Sequence, residues 1–158
     1  MKKILFSILT CAFCFSVNAQ RSEHLRYDIE CAGIGVQGTY LVQVWVYTNK
    51  KRLSVDELQK YAVHGVIFRG FPGKEGCPGQ RPMAQSPALE QERSAFFHPF
   101  FNRDRSFAKY TTQVDGRIQR IRVGRRQYKF GSVISVSKDL LRQDLEAAGV
   151  IRGLSHGF

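Results

Sequence analysis

Cys77 is the side chain of this 158-residue chain that could most readily perform chemistry. A thiolate activated by a histidine base can attack an ester or amide carbonyl, and His64 and His98 flank Cys77 along the sequence. Such a hydrolase also needs a positioned base and an oxyanion hole, and the sequence carries a signature of neither. We therefore predict no catalytic residue and keep a Cys77-dependent hydrolase as the least favoured alternative.

A disulfide is the simpler interpretation of Cys77. The chain has four cysteines, and two of them, Cys11 and Cys14, lie in an N-terminal segment that we expect to be cleaved. Cys31 and Cys77 remain, and an even number of cysteines in an exported chain favours one disulfide between them. Two unpaired thiols, one of them reactive, are the alternative.

Other catalytic and metal-binding motifs fail on spacing. The Gly73-Lys74 pair resembles the end of a phosphate loop, but Phe68 stands where that loop requires glycine. Glu90 and Glu92 are two residues apart on a predicted helix, so they point to different sides rather than towards one substrate. The four histidines are scattered, with no cysteine or carboxylate at ligand spacing. We predict no metal site and no cofactor.

Basic residues are the most unusual feature of the sequence. Lysine and arginine total 24 against 13 acidic residues, a net charge of +11 at pH 7, and such a balance favours anionic partners. Side chains alternate along a strand, so the segment from Arg117 to Lys129 is expected to form a cationic face or rim. Tyr128 and Phe130 fall on the other face from Lys129, which argues against nucleic-acid binding by interleaved aromatic rings. The predicted binding residues are Lys74, Gln80 and Arg81 in a long loop and Arg120, Arg122, Arg125 and Arg126 in the hairpin. A solubilising surface is the alternative.

These residues are positioned by a predicted α+β domain with a mixed, largely antiparallel sheet and about three helices packed on it. Thr39–Thr48 is rich in β-branched and aromatic residues and is apolar on both faces, which predicts a central strand covered on both sides. Ser54 and Glu57 form a capping box that begins a helix. Gly65 is expected to end this helix, and the apolar residues 66–68 then predict a buried strand.

The second half of the chain is expected to contain more strands than helices. A long loop from Gly70 to Ser86 leads into a helix that begins at Ser86 and that Pro99 must kink or end. Residues 107–114 and 117–123 are predicted strands joined by an Asp115-Gly116 hairpin turn. A second turn at residues 124–126 leads into a strand over residues 127–136. The last helix is expected to run from Ser137 to about Ala148.

The N-terminus has the pattern of a secretory signal. Lys2 and Lys3 precede an apolar run from Ile4 to Val17, and small residues at Val17 and Ala19 predict cleavage after Ala19. We therefore expect a signal peptide over residues 1–19, a flexible lead-in over 20–38, the α+β domain over 39–151 and a loose tail over 152–158. The mature chain has no further apolar run of membrane-spanning length, so we expect a periplasmic or secreted protein.

Three stretches of the sequence, residues 38–47, 61–71 and 144–154, resemble a family of secreted or periplasmic proteins from gut anaerobic bacteria. This resemblance covers most of the mature chain and implies a bacterial envelope or secreted location, but no catalytic or binding residue. We expect an exported, non-enzymatic binding or accessory protein of the cell envelope, whose first-choice partner is another envelope protein added to an exposed strand. An anion-binding module for phosphorylated lipid or glycan is the main alternative.

Overall fold

The structure, a computed structural model, describes residues 26–153, and within them five strands and four α-helices form. The strands are β1 (Tyr27–Gly33), β2 (Thr39–Thr48), β3 (Thr111–Gln113), β4 (Gln119–Arg122) and β5 (Tyr128–Ser137). The helices are α1 (Val55–Phe68), α2 (Leu89–Glu92), α3 (Ser94–His98) and α4 (Lys138–Ala147), with a π-helical turn (Pro99–Arg103) and a 3₁₀ turn (Ser106–Tyr110) after α3. The predicted signal peptide and most of the predicted tail lie outside the described residues.

The sheet is antiparallel throughout, and β2 lies inside it between β1 and β5. β3 and β4 follow one another along the outer edge of β5. Helix α1 packs against β2 and β5, and the side chains of Val42, Val44 and Val46 are fully buried. The α+β fold with a largely antiparallel sheet is therefore confirmed.

The opposite face of β2 is less enclosed than predicted. Leu41, Trp45 and Tyr47 are only half-buried there, so the expectation of a strand covered on both sides was wrong. The Trp45 ring lies on Gly131 of β5, where a Cβ atom would be 2.3 Å from the ring. The Trp45 side chain therefore packs on the sheet itself.

Strand β1 occupies part of the flexible lead-in predicted over residues 20–38, of which residues 20–25 lie outside the described residues. Residues 27–33 form the edge strand next to β2. The buried side chains of Tyr27, Ile29 and Cys31 alternate with the exposed Asp28 and Glu30, as expected of a half-buried strand. This period-2 pattern is present in the sequence, where the mixed charge of the segment obscured it.

Helix α1 begins as predicted and ends later. Ser54 and Glu57 form the reciprocal capping box, but the helix continues through Gly65 to Phe68, so the predicted strand over residues 66–68 was wrong. Gly65 is buried, and a Cβ atom on it would lie 2.7 Å from Cδ1 of Ile29. The glycine therefore serves the close approach of α1 to β1 instead of ending the helix.

Gly65→Ala should accordingly lower the free energy of unfolding by about 1–3 kcal/mol through overpacking. Alanine is the better helix former by about 1 kcal/mol, so a glycine without a packing role would give the opposite sign. Urea denaturation of both proteins measures the difference. Adding Ile29→Val, which removes Cδ1, should recover part of the loss; a Gly65→Ala protein that is more stable than wild type would contradict the packing role.

The chain between β3 and β4 does not form the predicted hairpin at Asp115-Gly116. Both strands pair antiparallel with β5, and residues 114–118 protrude between them opposite residues 132 and 133. The Asp115 carboxylate accepts a hydrogen bond from the amide of Val133 at 3.2 Å, which holds this protrusion against β5. Only residues 111–113 of the predicted strand over 107–114 are extended, because a 3₁₀ turn occupies residues 106–110.

The segment between the long loop and β3 is helical in short pieces. The helix predicted from Ser86 is divided into α2, α3 and a π-helical turn that begins at Pro99, consistent with the missing amide hydrogen of proline. Phe97, Phe100 and Phe101 are buried in the core. None of the helices in residues 26–153 is long and apolar enough to cross a membrane.

Candidate functional site: a basic hairpin

Cys31 and Cys77 form a disulfide, as predicted, with their Cα atoms 6.2 Å apart. The bond joins β1 to the loop over residues 70–86, which is not structureless: Phe71 pairs with Gln80, and Lys74 pairs with Cys77. The Cys77 sulfur cannot act as a nucleophile while it is bonded to Cys31.

The predicted binding residues of this loop are partly engaged within the protein. Lys74 lies 3.7 Å from the Glu30 carboxylate. The Gln80 side-chain oxygen accepts a hydrogen bond from the Tyr40 hydroxyl at 2.7 Å, while Arg81 is exposed. A cavity of about 260 Å³ between this loop and the glycine-rich turn after β1 is lined mainly by apolar atoms.

The other predicted group lies at the opposite edge of the sheet. β4 and β5 form a hairpin through a turn over residues 123–127, in which the Val123 amide donates to the Gln127 carbonyl at 2.9 Å. The Arg122 guanidinium donates to the carbonyls of Gly124 and Arg125 at 3.1 and 2.9 Å. The predicted turn is therefore confirmed, and the seven predicted binding residues form two separate groups instead of one site.

We call residues 117–129 the basic hairpin. Arg120 and Arg122 share one face with Tyr128, and the Arg120 guanidinium lies 4.1 Å from the centre of the Tyr128 ring. Lys129 is on the other face. The charges thus form a rim around both faces of an edge strand, not a single cationic face.

The positive charge of the basic hairpin has no acidic partner within the described part of the chain. Within residues 26–153 no salt bridge involves its cationic side chains, whereas Lys50 is paired with Glu57 and Lys109 with Asp144. Five of the six side chains are exposed and Lys129 is half-buried. The cationic residues of the basic hairpin are Arg117, Arg120, Arg122, Arg125, Arg126 and Lys129.

Apolar side chains accompany these charges, and they were not among the predicted binding residues. Ile121 and Val123 are 42% and 43% exposed. Ile121 lies directly opposite Lys129, whose ammonium group lies 4.4 Å from the centre of the Trp45 ring. The signal was the alternation of arginine with isoleucine and valine over residues 120–123, which places apolar side chains on one face of the hairpin.

A second polar cluster surrounds His64, away from the hairpin. Nδ1 of His64 is 2.6 Å from the Tyr27 hydroxyl, and Nε2 is 3.1 Å from the Glu90 carboxylate. Burial, offset in part by the Arg69 guanidinium, raises the pKa of Tyr27 above its ordinary value.

Glu90 and His64 line a cavity of about 520 Å³ together with Lys60 and His98. Burial lowers the pKa of Lys60, whose ammonium group donates to the Asn102 side-chain oxygen at 2.7 Å. His64 is not brought together with Cys77, since its ring nitrogens face Tyr27 and Glu90. Within residues 26–153 no three histidine, cysteine or carboxylate side chains are placed to hold a metal ion.

Comparison of the chain with known protein families, with curated proteins and with solved structures finds no match.

Proposed function

We propose that this chain is an exported, non-enzymatic binding protein whose basic hairpin binds an anionic component of the cell envelope. The observation that carries the proposal is the group of six cationic side chains with no acidic partner among the described residues. Arginine donates to phosphate and carboxylate through two parallel hydrogen bonds. The export part of the proposal rests on the signal-like N-terminus.

Addition of a partner strand is less well supported than anion binding. The outer edge formed by β3 and β4 is interrupted by the protrusion at residues 114–118, and β4 carries Arg120 and Arg122. Bulges and charged side chains on an edge strand discourage pairing with another strand. At the other edge, the disulfide from Cys31 holds the loop over residues 70–86 against β1.

Replacing Arg120, Arg122, Arg125 and Arg126 by serine should weaken binding to inorganic polyphosphate about 100-fold at 50 mM NaCl. This estimate takes about 0.7 kcal/mol for each exposed charge contact. Because the contacts are electrostatic, wild-type affinity should also fall steeply between 50 and 300 mM NaCl. Titration of a labelled polyphosphate chain, followed by fluorescence anisotropy, measures both effects.

A control variant must lose the same charge elsewhere. Serine at Lys51, Arg52, Arg93 and Arg152, all exposed, gives the same net charge and should change the affinity less than about threefold. Thermal unfolding of both variants checks that the fold is retained. Equal losses of affinity in the two variants would show that net charge alone binds polyphosphate and would overturn the assignment to the hairpin.

A further inference from the structure

We infer that the anionic partner of the basic hairpin is the surface of a lipid bilayer, an inference that rests on the proposed function and names its ligand. The supporting features are the shape of the hairpin, its exposed apolar side chains and the aromatic residues beside them. Each is independent of the charge count that supports anion binding in general.

The turn of the hairpin lies beyond the last residue pair between β5 and β2. The last residue of β2, Thr48, pairs with Tyr128, so residues 123–127 continue past the end of the neighbouring strand. Val123, Arg125 and Arg126 are exposed in this turn. Val123 is thus exposed at the tip of the hairpin, in the same turn as Arg125 and Arg126.

The apolar side chains continue from this tip along one face of the hairpin. Ile121 follows Val123 and lies opposite Lys129, which in turn lies opposite Tyr47 of β2. Trp45 is the next residue on that face of β2 and is the single tryptophan of the chain. Isoleucine and valine flanked by arginine, with tryptophan and tyrosine behind them, is the composition of surfaces that lie in the interfacial region of a bilayer.

A soluble polyanion would use only the charges of this surface. Exposed Ile121 and Val123 gain nothing from a polyphosphate or a sulfated glycan, but they can leave water among lipid headgroups while the arginines contact the lipid phosphates. Charge complementarity and exposed apolar area therefore point to the same occupant, a bilayer rich in anionic lipid.

The test compares two probes and two matched variants. The first variant, Ile121→Ser with Val123→Ser, removes the apolar contribution of the hairpin. The control, Val114→Ser with Leu140→Ser, removes side chains of similar exposure, 55% and 45%, from outside the hairpin tip. Binding is measured to vesicles of phosphatidylglycerol and phosphatidylcholine in equal amounts and, separately, to inorganic polyphosphate.

We expect the Ile121 and Val123 variant to bind these vesicles about tenfold or more weakly than wild type and to bind polyphosphate equally well. The control variant should match wild type with both probes. Trp45 emission should shift to shorter wavelength when wild type binds vesicles, because the ring enters a less polar environment. Vesicles of phosphatidylcholine alone should bind weakly.

Two outcomes would overturn the lipid inference. In the first, wild type binds polyphosphate but not the anionic vesicles, which leaves anion binding by the hairpin intact. In the second, vesicle binding is the same in wild type and in the Ile121 and Val123 variant, so that apolar insertion has no part in it. Failure of wild type to bind either probe would instead overturn the proposed function itself.

Discussion

Replacing Cys31 and Cys77 together by alanine should lower the free energy of unfolding by about 4 kcal/mol. The disulfide spans 46 residues, and a cross-link over that length strongly restricts the unfolded chain. Alanine avoids placing unpartnered hydroxyl groups at the buried positions of the two sulfurs. Urea unfolding of the oxidised wild type and the double variant, followed by circular dichroism, measures the difference.

The loss of the disulfide should also be detectable locally, in the loop that it attaches to β1. Without the bond, the loop over residues 70–86 loses its covalent link to β1 and keeps its hydrogen bonds, among them the pairing of Phe71 with Gln80 and of Lys74 with position 77. Amide hydrogen exchange in this loop should therefore accelerate more than in β2, which is paired on both sides. Reduced wild type is the control and should resemble the double variant. Equal stability of oxidised wild type and variant would contradict the stabilising role of the bond.

His64→Ala should cost about 3 kcal/mol of unfolding free energy. His64 is buried and its ring lies 4.9 Å from that of Phe68 and 5.5 Å from that of Phe101, centre to centre. Truncation removes this packing, and it also leaves the Tyr27 hydroxyl without its partner in the core. Chemical denaturation at pH 7 measures the total loss.

A matched variant separates packing from hydrogen bonding. His64→Phe fills the ring volume but cannot form a hydrogen bond with the Tyr27 hydroxyl, so it should still destabilise the protein. In a Tyr27→Phe background no hydroxyl is left unpartnered, and the cost of His64→Phe should shrink by about 1–2 kcal/mol. Additive costs of the two substitutions would contradict the coupling of these side chains.

The raised pKa of Tyr27 gives this cluster a pH dependence of known sign. In the unfolded chain a tyrosine ionises near pH 10, whereas burial keeps the folded Tyr27 protonated to higher pH. Its contribution to stability is therefore complete below about pH 10 and is lost as the pH rises from there through the folded pKa. Tyr27→Phe should flatten the fall in stability with alkaline pH; an unchanged slope would argue against this burial effect.

Local sequence patterns predicted the elements whose determinants are local. The composition of Thr39–Thr48 defined β2, and the Ser54 and Glu57 pair defined the start of α1. The role of Gly65 was predicted wrongly because residue type alone does not distinguish a glycine that ends a helix from a glycine at a helix contact. The side chain that distinguishes them is Ile29, far away in the sequence.

The same difference between local patterns and contacts distant in sequence decided which parts of the candidate site could be predicted. Alternation predicted the rim of charge on the hairpin, and the turn over residues 124–126 was found from its glycine and polar residues. The turn signal at Asp115 does not reveal that its two flanking strands both pair with β5. The contacts of His64 with Tyr27 and Glu90 join residues 37 and 26 positions apart, so no short motif could have indicated them.

The disulfide also determines how the chain can respond to mechanical tension. Cys31 and Cys77 enclose β2 and α1 in one covalent ring, and force applied at the two ends of the chain bypasses everything inside it. The disulfide therefore prevents the segment between Cys31 and Cys77 from adding roughly 160 Å to the length of the extended chain. A strand, a helix and much of the core are therefore kept from extending along the line of force even when β5 is pulled away from β2.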